Sequence, residues 1–368
     1  MERKTVGLII ALVLIAGAIL ALEPLSPNRA FAGTSVTPGN RTAINEVKAK
    51  MYPNAKEITD PSGFINVDNI TIGGLVGKEV ILVDFWTYSC INCVRTIPCL
   101  NLWYAKYHPL GLEIIGVHTP EFQFEHDIDN VRQAVRKYGI RYPVVLDNDY
   151  ATWSSYGNLY WPEDYLIDID GFIVARHIGE GDYDTTETQI QGLLRERARA
   201  LGLQVAIPNT TGVPPNAVPV NFSEVGSPET YFGAAKNVDL ANGNGSVTGL
   251  QTMSPLPGIR HLNDLYLTGT WNVTDQYAET TGRASVVYIY EARNVYLVAS
   301  ASNTTAVSVL LDGMPVPAAD VGSDVTGGMV TVRDERLYTL IQGTDYSEHT
   351  LELDIRGPGL RAYTFTFG

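Results

Sequence analysis

The sequence predicts an α/β domain followed by an all-β sandwich of the jelly-roll kind, behind one N-terminal transmembrane helix. Three observations carry this expectation. An apolar run lies near the start, strands alternate with helical spacing up to residue 203, and short strands separated by turn residues fill the chain after residue 228. At 368 residues the chain also exceeds the size of one ordinary domain, about 100 to 200 residues.

The first residues are Met1, Glu2, Arg3 and Lys4, and an uncharged, mostly apolar run follows from Thr5 to Leu22. Its length is near the minimum for crossing a bilayer, so residues 1–23 read as a membrane anchor. A cleaved secretory signal is the alternative, with Ala30-Phe31-Ala32 as a small-x-small site set well past the apolar end. Arg3 and Lys4 place the N-terminus in the cytoplasm and the rest of the chain on the extracytoplasmic side.

Residues 24–60 are rich in Pro, Gly, Asn and Thr and read as a linker, with one short helix near Ala43 to Met51. The α/β domain is expected over 61–203. Val80 to Phe85 is a buried strand by its continuous apolar run, and a helix follows from Cys90 to about Tyr107, kinked at Pro98. Next come a strand at Leu112 to Val117, a helix near Ile128 to Tyr138, a strand at Tyr142 to Leu146 and a short helix around Tyr150 to Tyr156. Strands at Tyr165 to Ile169 and Phe172 to His177 flank the turn Asp170-Gly171, and a last helix runs from about Thr185 to Leu201.

Five prolines mark 204–228 as a second linker. Over 229–368, short strands are expected at Val286 to Tyr290, Val295 to Ala299, Val307 to Leu311, Val330 to Val332, Leu337 to Ile341, Leu351 to Ile355 and Tyr363 to Phe367.

With 40 acidic against 26 basic residues and no basic cluster, the chain lacks the electrostatic footprint of a nucleic-acid partner. Asn-x-Ser/Thr triplets, as at Asn40, Asn69 and Asn209, lean toward an exported protein. Three cysteines, Cys90, Cys93 and Cys99, are too few for a framework of several disulfides, and their clustering points to chemistry.

Cys90-Ile91-Asn92-Cys93 follows a buried strand and opens a helix. There the free N–H groups and helix dipole favour a thiolate, which makes Cys90 a nucleophile. Two intervening residues bring Cys93 back to resolve the mixed disulfide. A metal site needs a second ligand pair, but His108, His118, His126 and His177 are scattered singly, and dithiol chemistry needs neither metal nor cofactor.

Ile81-Leu82-Val83-Asp84-Phe85-Trp86 before Cys90-x-x-Cys93, with Pro98 five residues on, resembles the thioredoxin active-site segment. The resemblance implies that Asp84 is buried beneath Cys93 and handles its proton, and that Pro162, after Trp161, is the cis-proline facing the cysteines. Trp86 and Trp161 are then expected to border the substrate groove. Trp161 is larger than the residue usual there.

The extra elements between Val117 and Pro162 resemble the membrane-tethered TlpA branch. Trp86 to Pro98, His118 to Phe122, Tyr160-Trp161-Pro162 and His177 to Gly181 are similar to the periplasmic part of the DipZ family. So are Leu310 to Gly313 and Ala362 to Gly368. This implies a thiol-disulfide oxidoreductase acting on disulfide-bearing proteins, with a sandwich like a carbohydrate-binding module for which a glycan is one candidate ligand, although no sugar-binding constellation stands out in the sequence. That family usually carries a membrane domain of several helices, and this sequence shows one apolar segment, so a separate membrane electron-transfer protein is the expected partner. Reduction is favoured over oxidation by the resemblance alone.

Cys99 reads as a core residue. His118, Glu121, His177 and Glu180 lie in loops near the pocket and are assigned no catalytic role. Two other functions are compatible with the sequence. One is a thiol peroxidase, because the inserted elements resemble those of peroxiredoxins, although Thr87, three residues before Cys90, lacks the proline context expected there. The other is a non-catalytic surface module that binds glycan or protein through the sandwich.

Overall fold

The computed structural model describes residues 38–215 and 217–368. The expected anchor, and the Ala30-Phe31-Ala32 site, fall outside that range. Among the described residues no helix is long and apolar enough to cross a membrane.

The α/β layer is a six-stranded mixed sheet. Its strands are β1 (Gly63–Ile65), β2 (Val80–Trp86), β3 (Leu112–His118), β4 (Val144–Leu146), β5 (Glu163–Ile167) and β6 (Ile173–Ile178), in the order β1-β4-β3-β2-β5-β6. β2, β3 and β4 run parallel, while β5 is antiparallel to β2, and β6 to β5. The helices are α1 (Pro38–Met51), α2 (Ile72–Leu75), α3 (Ile91–Tyr107), α4 (Ile128–Lys137), α5 (Ala151–Tyr156) and α6 (Tyr183–Leu201).

β2 explains the layering. All seven of its residues are buried, because successive side chains enter two different cores. Val80, Leu82 and Trp86 join the core with α3 and α6, and Ile81, Val83 and Phe85 join the one with α5. Asp84 shares the α3 side with Leu82 and Trp86, so the strand's alternation alone points this carboxyl at the helix that carries the cysteines. Gly116 on β3 sits opposite Asp84, and a Cβ there would come within 2.9 Å of the Trp86 indole nitrogen. The missing side chain therefore makes room for Trp86.

The final helix stops at Gly202, whose φ of +67° favours glycine. The Lys48 ammonium is bonded to Asp168 at 2.6 Å, to Asp170 at 2.9 Å and to Glu196. It occupies the centre of an acidic cluster and ties α1 to the β5–β6 turn and to α6.

Beyond residue 229 lie two seven-stranded antiparallel sheets. One orders Arg336–Gln342, Asn294–Ala301, Leu360–Phe367, Ala278–Thr280, Thr270–Val273 and Gly249–Thr252, with Thr230–Tyr231 paired to Leu360–Phe367. The other orders Val325–Thr326, Met329–Val332, Thr305–Leu311, Glu348–Ile355, Ala284–Glu291 and Leu265–Thr268, with Met314–Pro315 at Thr305–Leu311. Inward residues such as Trp271, Tyr288, Val309, Leu353 and Phe365 make one core.

Residues Asn45 to Gly368 form a single compact unit. The first sheet of the sandwich sends Tyr296, Val298, Leu337 and Tyr363 outward into the core of the α/β layer. The Tyr363 ring stands 5.2 Å from Phe122 and 4.8 Å from Phe124, both from the loop after β3. The sandwich is thus packed against the loop that also supports the cysteines.

Candidate active site

Cys90 is the N-cap of α3, with extended backbone dihedrals, and its Sγ accepts the Cys93 N–H at 3.4 Å. This is the exchange a helix N-terminus offers to a side chain with acceptor character. Cys90 is partly exposed, whereas Cys93 is buried at 1 % exposure. The Trp161–Pro162 peptide is cis, and the Trp161 carbonyl lies 3.8 Å from Cys90 Sγ.

Beneath Cys93 lies Asp84, also 1 % exposed. Burial, then Cys90, then Asp84 push the Cys93 thiol well above its ordinary range. Asp84 is itself pushed well up, first by burial and then by Asp164, its partner across the β2–β5 ladder. Asp164 is raised to about 7, chiefly by burial, with Glu163 adding to it. Asp164 was not anticipated from the sequence.

A second buried carboxylate holds the cysteine loop from behind. Glu125 Oε1 accepts from Thr87 Oγ1 at 2.5 Å and Ser89 Oγ at 2.6 Å, and Oε2 accepts the N–H groups of Glu121 at 2.6 Å and Phe122 at 2.9 Å. Four donors converge on one carboxyl with no exposure to water. Burial raises its pKa to about 6, against the lowering effect of Ser89, Thr87 and Phe122. Glu121 and Phe122 lie within one turn upstream of Glu125, but its contacts to Thr87 and Ser89 cross from the distant cysteine loop and have no mark in the local sequence.

The Asn92 side chain between the cysteines is fixed by Arg95, which donates to its Oδ1 at 2.7 Å and to Glu180 Oε1 at 2.6 Å. The Arg95 guanidinium also lies 5.9 Å from the Tyr296 ring of the sandwich. An open cavity of about 410 Å³ runs beside α3, lined by Ile91, Val94 and Pro98 on one side and Tyr296, Leu337 and Gln342 on the other.

The structure therefore brings Cys90, Cys93, Asp84, Trp161 and Pro162 together. Trp161 donates its indole N–H to the Thr119 carbonyl at 3.1 Å and packs on Trp153 at 4.3 Å. Trp86 departs from the expectation that it borders the groove. It is 1 % exposed and faces the core, edge-on to His118 at 5.2 Å, because its place on β2 gives it the same side as Asp84.

His118 is fully buried, its pKa lowered to about 3 by that burial, and it stacks on Tyr88 at 5.6 Å. Glu121 faces the sandwich, accepting from Tyr231 and Lys236 at 2.8 Å each. Cys99 lies in the core away from the site, its thiol pushed up to about 12, first by burial.

Two family descriptions match the chain: the AhpC/TSA family over residues 55–176 and the thioredoxin-like C-terminal domain over 227–368. Protein DipZ of Mycobacterium tuberculosis is 37% identical over 320 residues, which is 86% of this chain but 42% of that protein. The chain thus spans less than half the length of the DipZ relatives it matches. Thiol-disulfide oxidoreductase ResA of Bacillus anthracis is 33% identical over 139 residues, covering 38% of this chain and 72% of that protein. A solved structure of a DsbE-type thiol:disulfide interchange protein from Chlorobium tepidum aligns with 22% identity and a TM-score of 0.35, over 39% of this chain and 96% of its own. With a redox-type cysteine pair at the head of α3 and this likeness to ResA over most of ResA's length, the chain belongs to the thioredoxin-like family of thiol-disulfide oxidoreductases.

Proposed function

We propose that the protein exchanges electrons between its Cys90/Cys93 pair and the disulfides of other proteins, on the extracytoplasmic side of a membrane to which residues 1–23 hold it. The observation that carries this reading is the asymmetry of the two thiols. Cys90 is accessible at a helix N-terminus, and Cys93 is buried against Asp84. A nucleophile must be reachable by its substrate, while a resolving thiol works best sealed from competing disulfides.

In the forward direction the Cys90 thiolate attacks a substrate disulfide. Cys93 then gives up its proton toward Asp84 and displaces the second substrate sulfur. The Trp161 carbonyl beside Cys90, with Pro162 following it, offers the substrate backbone an edge to align on. Leu159, Tyr160 and Ile178 are exposed near that edge and suit an extended, partly apolar peptide.

The peroxidase reading is weaker on one contact. Its Thr-x-x-Cys setting needs the Thr87 hydroxyl for the reacting sulfur, and that hydroxyl is committed to Glu125.

The test is the equilibrium reduction potential of Cys90/Cys93 in the full chain, with peroxide consumption measured alongside. A value near about -270 mV supports a reductase, and one near about -120 mV supports an oxidant of secreted thiols. Failure to form the disulfide, or peroxide turnover that survives loss of Cys93, sinks the proposal.

A further inference from the structure

Three ionisable side chains stand in one row across the sheet. Asp84 on β2 is directly opposite Asp164 on β5, and Asp164 is directly opposite His177 on β6. Residues so paired project from the same face with Cβ atoms about 4.5–5.5 Å apart. The row begins beneath Cys93 and ends on the outermost strand of the sheet. Exposure rises along it, from 1 % at Asp84 through 6 % at Asp164 to a half-buried His177.

The polar atoms of the row are also unspent. Apart from the contact between the two carboxyls, neither oxygen of Asp84, nor Asp164 Oδ1, nor His177 Nε2 meets a hydrogen-bond partner among the protein groups around it. Two carboxyls this close and this buried cannot both ionise near neutral pH, so they hold one proton between them. Asp84 is the more deeply buried of the two and Asp164 stands one strand nearer the edge, so the shared proton rests on Asp84 and the charge on Asp164. Asp84 alone is then already protonated when Cys93 must lose its proton. It can accept that proton only by passing its own to Asp164.

Other groups face the pair. Tyr142, buried against it, keeps its phenolic proton, since burial and both carboxyls raise its pKa. The Trp86 indole is a donor that does not titrate. Glu163, next to Asp164, is tied to Arg176.

We propose that Asp84, Asp164 and His177 form a proton relay that carries the Cys93 proton to solvent in the resolving step. This rests on the disulfide-exchange activity proposed above. The Cys90 thiolate attacks R–S–S–R′, forming Cys90–S–S–R and releasing R′–S⁻, which takes a proton from water. The Cys93 thiol then gives its proton to Asp84 while Asp84 gives its own to Asp164. The Cys93 thiolate attacks Cys90 Sγ, the Cys90–Cys93 disulfide forms and R–S⁻ leaves. Two electrons have passed from the dithiol to the substrate sulfurs. Asp164 releases its proton to His177 and His177 to water, which restores the row.

The experiment is a single-turnover measurement of the resolving rate against pH, by release of the second thiol from a mixed disulfide on Cys90, in the full chain. The wild-type rate is expected to rise through about pH 7. Asp164→Asn is expected to lose that inflection and to resolve about tenfold or more slowly at pH 7.5, at the modest end of general acid–base effects. Asp164→Glu should keep the inflection. His177→Gln should slow resolution and recover with added imidazole, a response that a merely structural role does not produce. An Asp164→Asn profile that superimposes on wild type, or a His177→Gln enzyme as fast as wild type, overturns the relay. Formation of the Cys90–Cys93 disulfide in glutathione buffer is followed in every variant. If it forms throughout and the rates do not change, the relay alone fails, and if wild type never forms it, the activity itself fails.

Discussion

Arg95 and Glu180 form a buried ion pair beside the cysteine motif, with Nη2 to Oε1 at 2.6 Å and side chains only 3 % and 6 % exposed. The same guanidinium holds Asn92, so one residue joins the loop after β6 to the segment between the cysteines. A buried pair is costly to break, because the surviving partner keeps its desolvation penalty without compensation. Glu180→Leu should therefore destabilise the protein by about 3–5 kcal/mol, read from its urea midpoint. A change below about 1 kcal/mol, the scale of a surface pair, would show that the two side chains are solvated in solution.

Glu125 makes a prediction in pH. Its carboxyl has a folded pKa of about 6 against an ordinary 4.5, raised chiefly by burial. A raised acid contributes stability that is fully present below about pH 4.5 and is lost as pH rises through about 6. The shift corresponds to about 2 kcal/mol. Unfolding free energies of wild type and Glu125→Gln, compared from pH 4 to pH 7, should diverge by that amount across the window, with wild type losing ground as pH rises. Parallel curves would mean that Glu125 ionises in the folded protein as easily as in the unfolded chain.

The order of thiol reactivity follows from burial. In the reduced native protein only Cys90 is partly exposed, Cys93 is sealed, and Cys99 has a thiol pushed up to about 12. Iodoacetamide at pH 8 should label Cys90 first, Cys93 far more slowly, and Cys99 only after unfolding, as mass spectrometry of quenched samples can establish. Cys99→Ala should leave the reduction potential of the other two unchanged. Early labelling of Cys99 would show that the core around α3 opens on the timescale of the reaction.

How much of this was legible in the sequence differs by element. β2 could be read because seven consecutive buried residues leave a continuous apolar signal. The start of β5 could not. The apolar pattern suggests that it begins at Tyr165, whereas it begins at Glu163, and the two acidic residues that hide its start pair with Phe85 and Asp84. A charged dipeptide is a turn signal in sequence and becomes a strand only through its partners. β1, at Gly63–Ile65, went unseen because it is three residues long. In the sandwich the long central strands were expected near their observed places, but the short strands Gly249–Thr252, at a sheet edge, and Ala278–Thr280, inside the same sheet, carry too few apolar residues to stand out.

The site divides in the same way. Cys90, Cys93, Asp84 and Pro162 lie in contiguous motifs, and the fold brings them together. Glu125, Asp164 and the Arg95–Glu180 pair depend on contacts between segments far apart in sequence, which no local spacing encodes.

The last prediction concerns the joint between the α/β layer and the sandwich. Tyr363 leaves the Leu360–Phe367 strand to pack against Phe122, Phe124 and Tyr277, with the Tyr277 ring 5.1 Å away. Phe122 donates its N–H to Glu125, and Glu125 holds Thr87 and Ser89. Contact with the sandwich is thereby linked, in three steps, to the loop that presents Cys90. Tyr363→Ala removes a buried aromatic side chain, a loss worth about 3–5 kcal/mol, and removes it from the contact between the two layers. Wild type should melt in one calorimetric transition, and the variant in two, the lower one accompanied by faster alkylation of Cys90. A single transition that merely moves to lower temperature, with Cys90 reactivity unchanged below it, would mean that the sandwich stabilises the α/β layer without bearing on the cysteine loop.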